Sequence, residues 1–230
     1  LIDIAKFDER NIPDHDILCA GFPCQPFSIG GYRKGFDDTR GTLFFDILRI
    51  LNIKKPNIFV LENVAGLLNH DNGKTFSTIL NSLGLEINGI PNTESKKDCL
   101  GYKVFWTVHN SSDFGLPQNR KRVFIVGILN PKSKFSFSLP NIKQKKLSDI
   151  LDLNPEIRNI SNISYEYIMK YLKMHKEYKK IKDLDYLIAY EIRKSRTAFR
   201  YDNLSPCLTT KMGTGGNNVP YLVNHKRFLT

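Results

Sequence analysis

No run in this 230-residue sequence approaches the ~20 apolar residues needed to cross a bilayer, and the opening LIDIAKFDER is neither a basic-plus-apolar signal nor an anchor. A membrane protein is excluded on that reading, and a cytoplasmic location is expected. Cysteine is scarce. Cys19, Cys24, Cys99 and Cys207 have neither the paired spacing of metal ligands nor the density of a disulfide scaffold. Reduced thiols and no metal are therefore expected, with one cysteine left free to be chemical. Internal repeats and low-complexity tracts are absent. Acidic residues are also in short supply, 23 against 34 Lys and Arg, and the resulting +11 charge biases the chain towards a polyanion. A merely basic soluble protein remains the alternative. With 41% hydrophobic and 25% charged residues the chain can bury a core, as one large or two small domains.

Between Asp16 and Gly127 short apolar runs alternate with amphipathic segments, the pattern of strands joined by helices on a largely parallel α/β sheet. Strands are expected at DILCA (16–20), NIFVL (57–61), YKVFWTVHN (102–110) and RVFIVGIL (122–129). Helices are expected from Thr42 to Leu51 and from Lys74 to Leu83. The near-continuous apolarity of NIFVL fits a strand buried on both faces. After about Pro131 the alternation is lost, and Lys-, Asn- and Ser-rich segments surround one helix expected between Ser164 and Lys180. Residues 1–130 and 131–230 are thus expected to form two domains. The second ends in a glycine-rich polar stretch suited to close approach to a ligand or partner.

Three places could carry chemistry. GFPCQPFS (21–28) puts Cys24 just after a strand, at the carboxyl edge of an α/β sheet where ligands bind. A lone loop cysteine is otherwise an inert small residue. Glu62, followed by Asn63 and Val64, comes directly after NIFVL, so a carboxylate sits at a second strand end; a solvated or helix-capping glutamate is the plain reading. In QNRKR (118–122), Arg120 and Arg122 lie two apart and share a face if the strand begins there, unless they belong to a basic surface patch.

Taken together, GFPCQPFS, ENV and QNRKRVFIVG, in that order, resemble the Pro-Cys, Glu-Asn-Val and Gln-x-Arg-x-Arg motifs of the DNA cytosine-5 methyltransferases, bacterial restriction-modification enzymes especially. DDTRGTLFFDILRI and the SPCLTT to GGNNVPYL stretch match as well. The resemblance implies a Rossmann-like, S-adenosyl-L-methionine-dependent methyltransferase sheet, here partial, with a smaller target-recognition domain. It implies that Cys24 attacks carbon 6 of a flipped cytosine, that Glu62 donates a proton to ring nitrogen 3 from a buried site, and that Arg122 reaches the base carbonyl. The backbone carbonyl of Phe22 suits the exocyclic amine. A free thiol titrates near ~8.5, so a positive or dipolar environment is needed, and Arg120 and the loop amides are the candidates. Asp3, Ile4, Pro23 and Leu43 match cofactor positions. Gln25, Ser28, Arg40, Thr209, Thr210, Lys211 and Gly216 are candidate contacts to double-stranded DNA. Cys207, where relatives commonly have Thr, is expected to be a packing residue. A monomer and a cognate restriction endonuclease are further implied.

The family's opening Phe-x-Gly-x-Gly turn and closing Asn-x-Val motif have no match here, so the chain is expected to be trimmed at both ends and unable to methylate alone. Two other readings stay open. One is an inactive DNA-binding fragment or half of a split methyltransferase; the other is a tRNA cytosine methyltransferase, although that group tends to carry Pro-Pro-Cys where this chain has Phe22-Pro23-Cys24.

Overall fold

The computed structural model describes residues 3–23, 43–95, 97–152, 161–208 and 219–228. Contacts divide the chain into two compact units, one of residues 1–109 and 121–138, the other of residues 110–120 and 139–230. This division differs from the compositional boundary at Pro131 in two places. Phe135 and Phe137, alternating along an extended stretch, stack on Phe105 and His109 and keep 131–138 with the first unit. The 110–120 loop hydrogen-bonds with the second.

The first unit holds strands β1 (Ile17–Gly21), β2 (Ile58–Val64), β3 (Gly84–Ile87), β4 (Ile90–Pro91), β5 (Tyr102–Asn110) and β6 (Lys121–Ile128), in the spatial order β1-β2-β6-β5-β3-β4. Helices α1 (Leu43–Lys54) and α2 (Lys74–Leu83) connect them. The sheet is mixed rather than largely parallel. β1 runs parallel to β2 and β3 to β5, whereas β6 enters antiparallel to β2. Apolar periodicity reports burial and says nothing of strand direction, so this could not be read from the runs.

Both helices follow the apolar i, i+3, i+4 spacing and bury that stripe. Phe44, Ile47, Leu48 and Leu51 of α1 and Phe76, Ile79, Leu80 and Leu83 of α2 join Phe59 and Leu61 of β2, Tyr102 and Val104 of β5, and Val123 and Ile125 of β6 in one core. The strands supply alternate residues, as a pleated strand must. NIFVL is accordingly buried on one face only: Phe59 and Leu61 are sealed, while Ile58 and Val60 are partly exposed.

In the second unit α3 (Asn162–Lys173) and α4 (Tyr178–Ile181) lie with a four-stranded antiparallel sheet of β7 (Ile188–Tyr190), β8 (Ala198–Arg200), β9 (Tyr221–Leu222) and β10 (Arg227–Phe228), ordered β10-β9-β7-β8. Ile168, Leu172, Ile181, Leu187, Ala189 and Tyr221 form its core. The single helix expected to Lys180 is two. After Lys173 the His175 ring accepts the Glu177 backbone N–H at 3.2 Å, a local bond that competes with the helical one, before the chain winds again.

Gly127 lies opposite Phe59 across β2 and β6, and a β-carbon there would overlap the Phe59 ring, which also meets Tyr102 edge-on at 4.9 Å. Gly127→Ala should cost about 1–3 kcal/mol through overpacking, measured by urea unfolding, and Phe59→Leu in the same chain should recover part of it. Unchanged stability of the single variant refutes the close approach. Tyr102 donates to the Pro56 carbonyl at 2.8 Å, and burial pushes its hydroxyl pKa up to about 12. The folded value is the higher one, so the stabilisation is complete below about pH 10 and fades as pH rises towards 12. Stability profiles of the parent and Tyr102→Phe should converge over that interval; parallel profiles would contradict this.

Candidate active site

The site is assembled where β1 and β2 end together. In their parallel register Gly21 stands beside Glu62. β2 continues past NIFVL to Val64 because Val64 pairs with Arg122 of β6, so Glu62 lies inside the strand rather than beyond it. Alternation then gives its two neighbours opposite fates: Glu62 faces the half-open side, and Asn63 turns into the core.

Arg122 stands diagonally across from Glu62, a spacing within reach of long side chains. Its Nε meets Glu62 Oε1 at 2.7 Å, and the two side chains are 17% and 38% exposed respectively. The carboxylate expected to be buried is therefore open enough to meet an incoming molecule and is held from one side by a cation. Its second oxygen lies over Gly21: a β-carbon built there would be 3.5 Å from Oε2. Arg122 also donates through one terminal nitrogen to the Lys121 carbonyl at 2.9 Å.

Asn63 is the residue that sequence reasoning passed over. Its buried Nδ2 donates to the Phe22 carbonyl at 2.8 Å, and its Oδ1 accepts the Val64 N–H at 2.8 Å. The Phe22 ring is buried against Phe44 of α1 with centroids 5.4 Å apart. Backbone and ring together fix the exit of β1 up to Pro23, the residue before Cys24. The Phe22 oxygen keeps a second lone pair.

Cys24, Gln25, Ser28, Arg40, Thr209, Thr210, Lys211 and Gly216 lie outside the described residues. Arg120 precedes β6, which begins at Lys121, so the strand alternation that would align it with Arg122 does not include it. It belongs to the second unit, where its N–H donates to Asn110 Oδ1 at 2.8 Å and its guanidinium meets Cys207 Sγ at 3.3 Å. Cys207 thus engages a side chain. The same loop is tied to its surroundings by Asn119 N–H to the Ser205 carbonyl at 2.8 Å and Ser205 N–H to the Pro117 carbonyl at 2.7 Å.

Around α1, Arg49 gathers the segment that begins with Asp3 and Ile4. It donates to Asp46 Oδ1 at 3.0 Å, to the Phe7 carbonyl at 3.0 Å, and to Glu9 and the Ile4 carbonyl. Burial opposes its charge, yet its hydrogen bonds to Asp46 and Glu9 outweigh that and raise its pKa above the usual arginine value. Asp3 accepts the Ala5 N–H at 3.1 Å, capping a short 3-10 turn, and Ile4 and Leu43 are 37% and 39% exposed. Among the described residues no cluster of His, Cys, Asp or Glu could hold a metal, and no helix is long and apolar enough to cross a membrane.

Removing the Asn63 amide would leave the buried Phe22 carbonyl without its partner. Asn63→Ala should therefore cost about 1–3 kcal/mol in chemical unfolding, more than a surface substitution such as Lys97→Ala. Equal effects would show the bond to be dispensable.

The family model for C-5 cytosine-specific DNA methylases matches residues 1–226. The chain is 49% identical over 154 residues to the Type II methyltransferase M.NlaX of Neisseria lactamica, covering 67% of this chain and 45% of that protein. Against M.HaeII of Haemophilus aegyptius it is 48% identical over 170 residues, 74% of this chain and 49% of that protein. Against M.Bsp6I of Bacillus sp. (strain RFL6) it is 36% identical over 222 residues, 95% of this chain and 64% of the relative. It spans less than two thirds of each of these proteins. A prophage-encoded E. coli protein assigned as a DNA modification methyltransferase shares the fold with a TM-score of 0.54 at 17% identity, over 99% of this chain and 71% of that one.

Proposed function

The chain belongs to the C-5 cytosine-specific DNA methylase family, and from that premise we propose that it carries the base-attacking half of a DNA cytosine-5 methyltransferase of a restriction-modification system, with Cys24 as nucleophile. The observation that carries this reading is the pairing of Gly21, which ends β1, with Glu62 near the end of the parallel β2, with Arg122 Nε 2.7 Å from the carboxylate. Three groups of the required chemistry thereby belong to adjacent strands or to the residues that follow them directly.

Carbon 5 of cytosine is a weak nucleophile. In the proposed reaction the Cys24 thiolate forms a bond to carbon 6, and the electron pair displaced into the ring is met by a proton delivered from Glu62 to ring nitrogen 3. Glu62 Oε2, free of a described partner, is the oxygen suited to that delivery. Arg122 holds Oε1 and leaves guanidinium N–H groups for the base carbonyl, and the Phe22 carbonyl accepts from the exocyclic amine with its remaining lone pair. The amine contact separates cytosine from thymine. S-adenosyl-L-methionine, when bound, supplies an electrophilic methyl group to the activated carbon 5. A solvent base then takes the carbon 5 proton, the carbon 5–carbon 6 double bond re-forms as the carbon 6–sulfur bond breaks to release the thiolate, and the proton on ring nitrogen 3 returns to Glu62. Ile4, Leu43 and Pro23 offer uncovered apolar surface for the adenine, and the exposed Asp3 carboxylate can accept from polar groups of the cofactor. These residues fit the cofactor.

None of these groups reaches a stacked base, so the substrate cytosine must leave the duplex, at a cost of a few kcal/mol. Residues 25–41 are proposed to close over it, and the stretch of the second unit around Thr209, Thr210, Lys211 and Gly216 to read the flanking sequence. Arg120, occupied with Cys207, is assigned to holding the second unit's loop in place rather than to lowering the thiol pKa. A monomer acting on double-stranded DNA beside a cognate endonuclease completes the reading.

Duplex DNA containing 5-fluorocytosine should trap the full-length protein as a denaturation-resistant complex, because fluorine cannot leave as the carbon 5 proton does. Cys24→Ser should abolish trapping while Cys19→Ser and Cys207→Ser retain it; a complex surviving the Cys24 change refutes the assignment. Glu62→Gln should slow single-turnover methylation by roughly 10²- to 10⁴-fold with DNA affinity within a few-fold. An unchanged rate removes Glu62 from the proton transfer, and methylation of tRNA in preference to duplex DNA would replace the substrate.

A further inference from the structure

The second unit carries a basic ridge made of residues given no role so far. Between residues 161 and 200 the sequence has ten Lys or Arg against five Asp or Glu, so this stretch contributes much of the chain's positive excess. Three-dimensional structure gathers part of it. The Tyr171 hydroxyl, near the end of α3, donates to the Lys194 carbonyl in the β7–β8 connection at 2.8 Å. Lys170 Nζ lies 5.2 Å from the centroid of the Tyr171 ring. The connection itself is closed by reciprocal backbone bonds, Arg193 N–H to the Arg196 carbonyl at 2.8 Å and Arg196 N–H to the Arg193 carbonyl at 3.3 Å. Lys170 and Lys173 at the helix end and Arg193 and Lys194 on the turn are thereby held on one ridge.

The charges on that ridge are unequal in availability. Arg196 is paired with Glu191 at 2.6 Å, and Lys182 with Asp183 at 2.6 Å. Lys170, Lys173, Arg193 and Lys194 are exposed and make no ion pair with a described carboxylate. Like charges gathered without neutralisation repel one another, a cost with no folding benefit in the contacts described, and a polyanion offsets it. Bound phosphates would be met by a planar guanidinium and three flexible ammonium groups, and counterions released from a duplex would drive the association.

We propose that the ridge formed by the end of α3 and the β7–β8 turn is a docking surface for the phosphate backbone of duplex DNA, acting without regard to base sequence. The proposal rests on the DNA reading above, and it adds a surface that sets affinity and salt response but not the recognised sequence or the chemistry.

The test compares two charge-matched variants of the full-length protein by fluorescence anisotropy with a random-sequence duplex over a series of salt concentrations. One carries Lys170→Gln, Lys173→Gln, Arg193→Gln and Lys194→Gln; the control carries Lys55→Gln, Lys74→Gln, Lys97→Gln and Lys132→Gln on the first unit. Each phosphate contact removed should lower the slope of log K against log salt by about 0.9, so the ridge variant should lose about 2–4 in slope and bind about 10- to 100-fold more weakly near 0.1 M salt. The control should change the slope by less than about 1. Single-turnover methylation at saturating DNA should match the parent in both. A ridge slope within about 1 of the parent, or an equal loss in the control, overturns the proposal, as does binding of the ridge to anionic lipid vesicles without any effect on DNA. Should the quadruple variant lose its far-UV spectrum, Arg193→Gln with Lys194→Gln, confined to a turn, carries the same test at about half the slope change. If the unaltered protein fails to bind duplex DNA at all, the DNA reading fails; if it binds and methylates with the slope unmoved by the ridge changes, only the ridge assignment does.

Discussion

Everything proposed for the site depends on the register of β1 against β2. The last residue of β1, Gly21, stands opposite Glu62, two residues before β2 ends, and alternation sends Glu62 outward and Asn63 inward. A slip of one residue would exchange them. The carboxylate would be driven into the core that holds Phe44 and Phe76 while Leu61 turned outward, and the amide would lose the Phe22 carbonyl. Burial of an unpaired carboxylate is costly enough to make that register strongly specified. The core therefore fixes the chemistry indirectly: Phe59 and Leu61 choose their side, and Glu62 inherits the other.

Polar order around this point is also a consequence of burial. Asn63 is among the few buried polar residues of the first unit, and both its amide ends are satisfied, by Phe22 and by its own neighbour Val64. Arg122 reaches Glu62 because β6 is inserted antiparallel between β2 and β5, which brings the start of β6 to the end of β2. A parallel β6 would have delivered Arg122 to the opposite edge. The close approach of Gly127 to Phe59 permits β6 to lie there.

The second unit is organised differently, with short strands, a broken helix and much of its order in hydrogen bonds that lie outside helices and strands. Asn110 holds Arg120, Ser205 bridges to Pro117 and Asn119, and Tyr171 ties α3 to the β7–β8 turn. Such bonds fix loops without a long apolar run. The chain that they order carries a formal charge of +11.

The sequence by itself determined the alternation of strands and helices to Gly127, the near-boundaries of β5 and α2, the family, and the residue types Cys24, Glu62 and Arg122, because apolar periodicity and short motifs are local properties of the chain. It could not show that β6 runs antiparallel, that β2 extends through Val64, or that Phe135 and Phe137 belong to the first unit, since these follow from pairing between distant segments. The roles of Asn63 and Arg49, both inside motifs that the sequence displays, were invisible for the same reason: an amide or a guanidinium acquires its role only from the carbonyls that folding brings to it. Arg120 and Arg122, two apart in the chain, were separated by where the strand starts. Tertiary structure decided which of these side chains meet, because register and burial are set by the whole core rather than by any one segment.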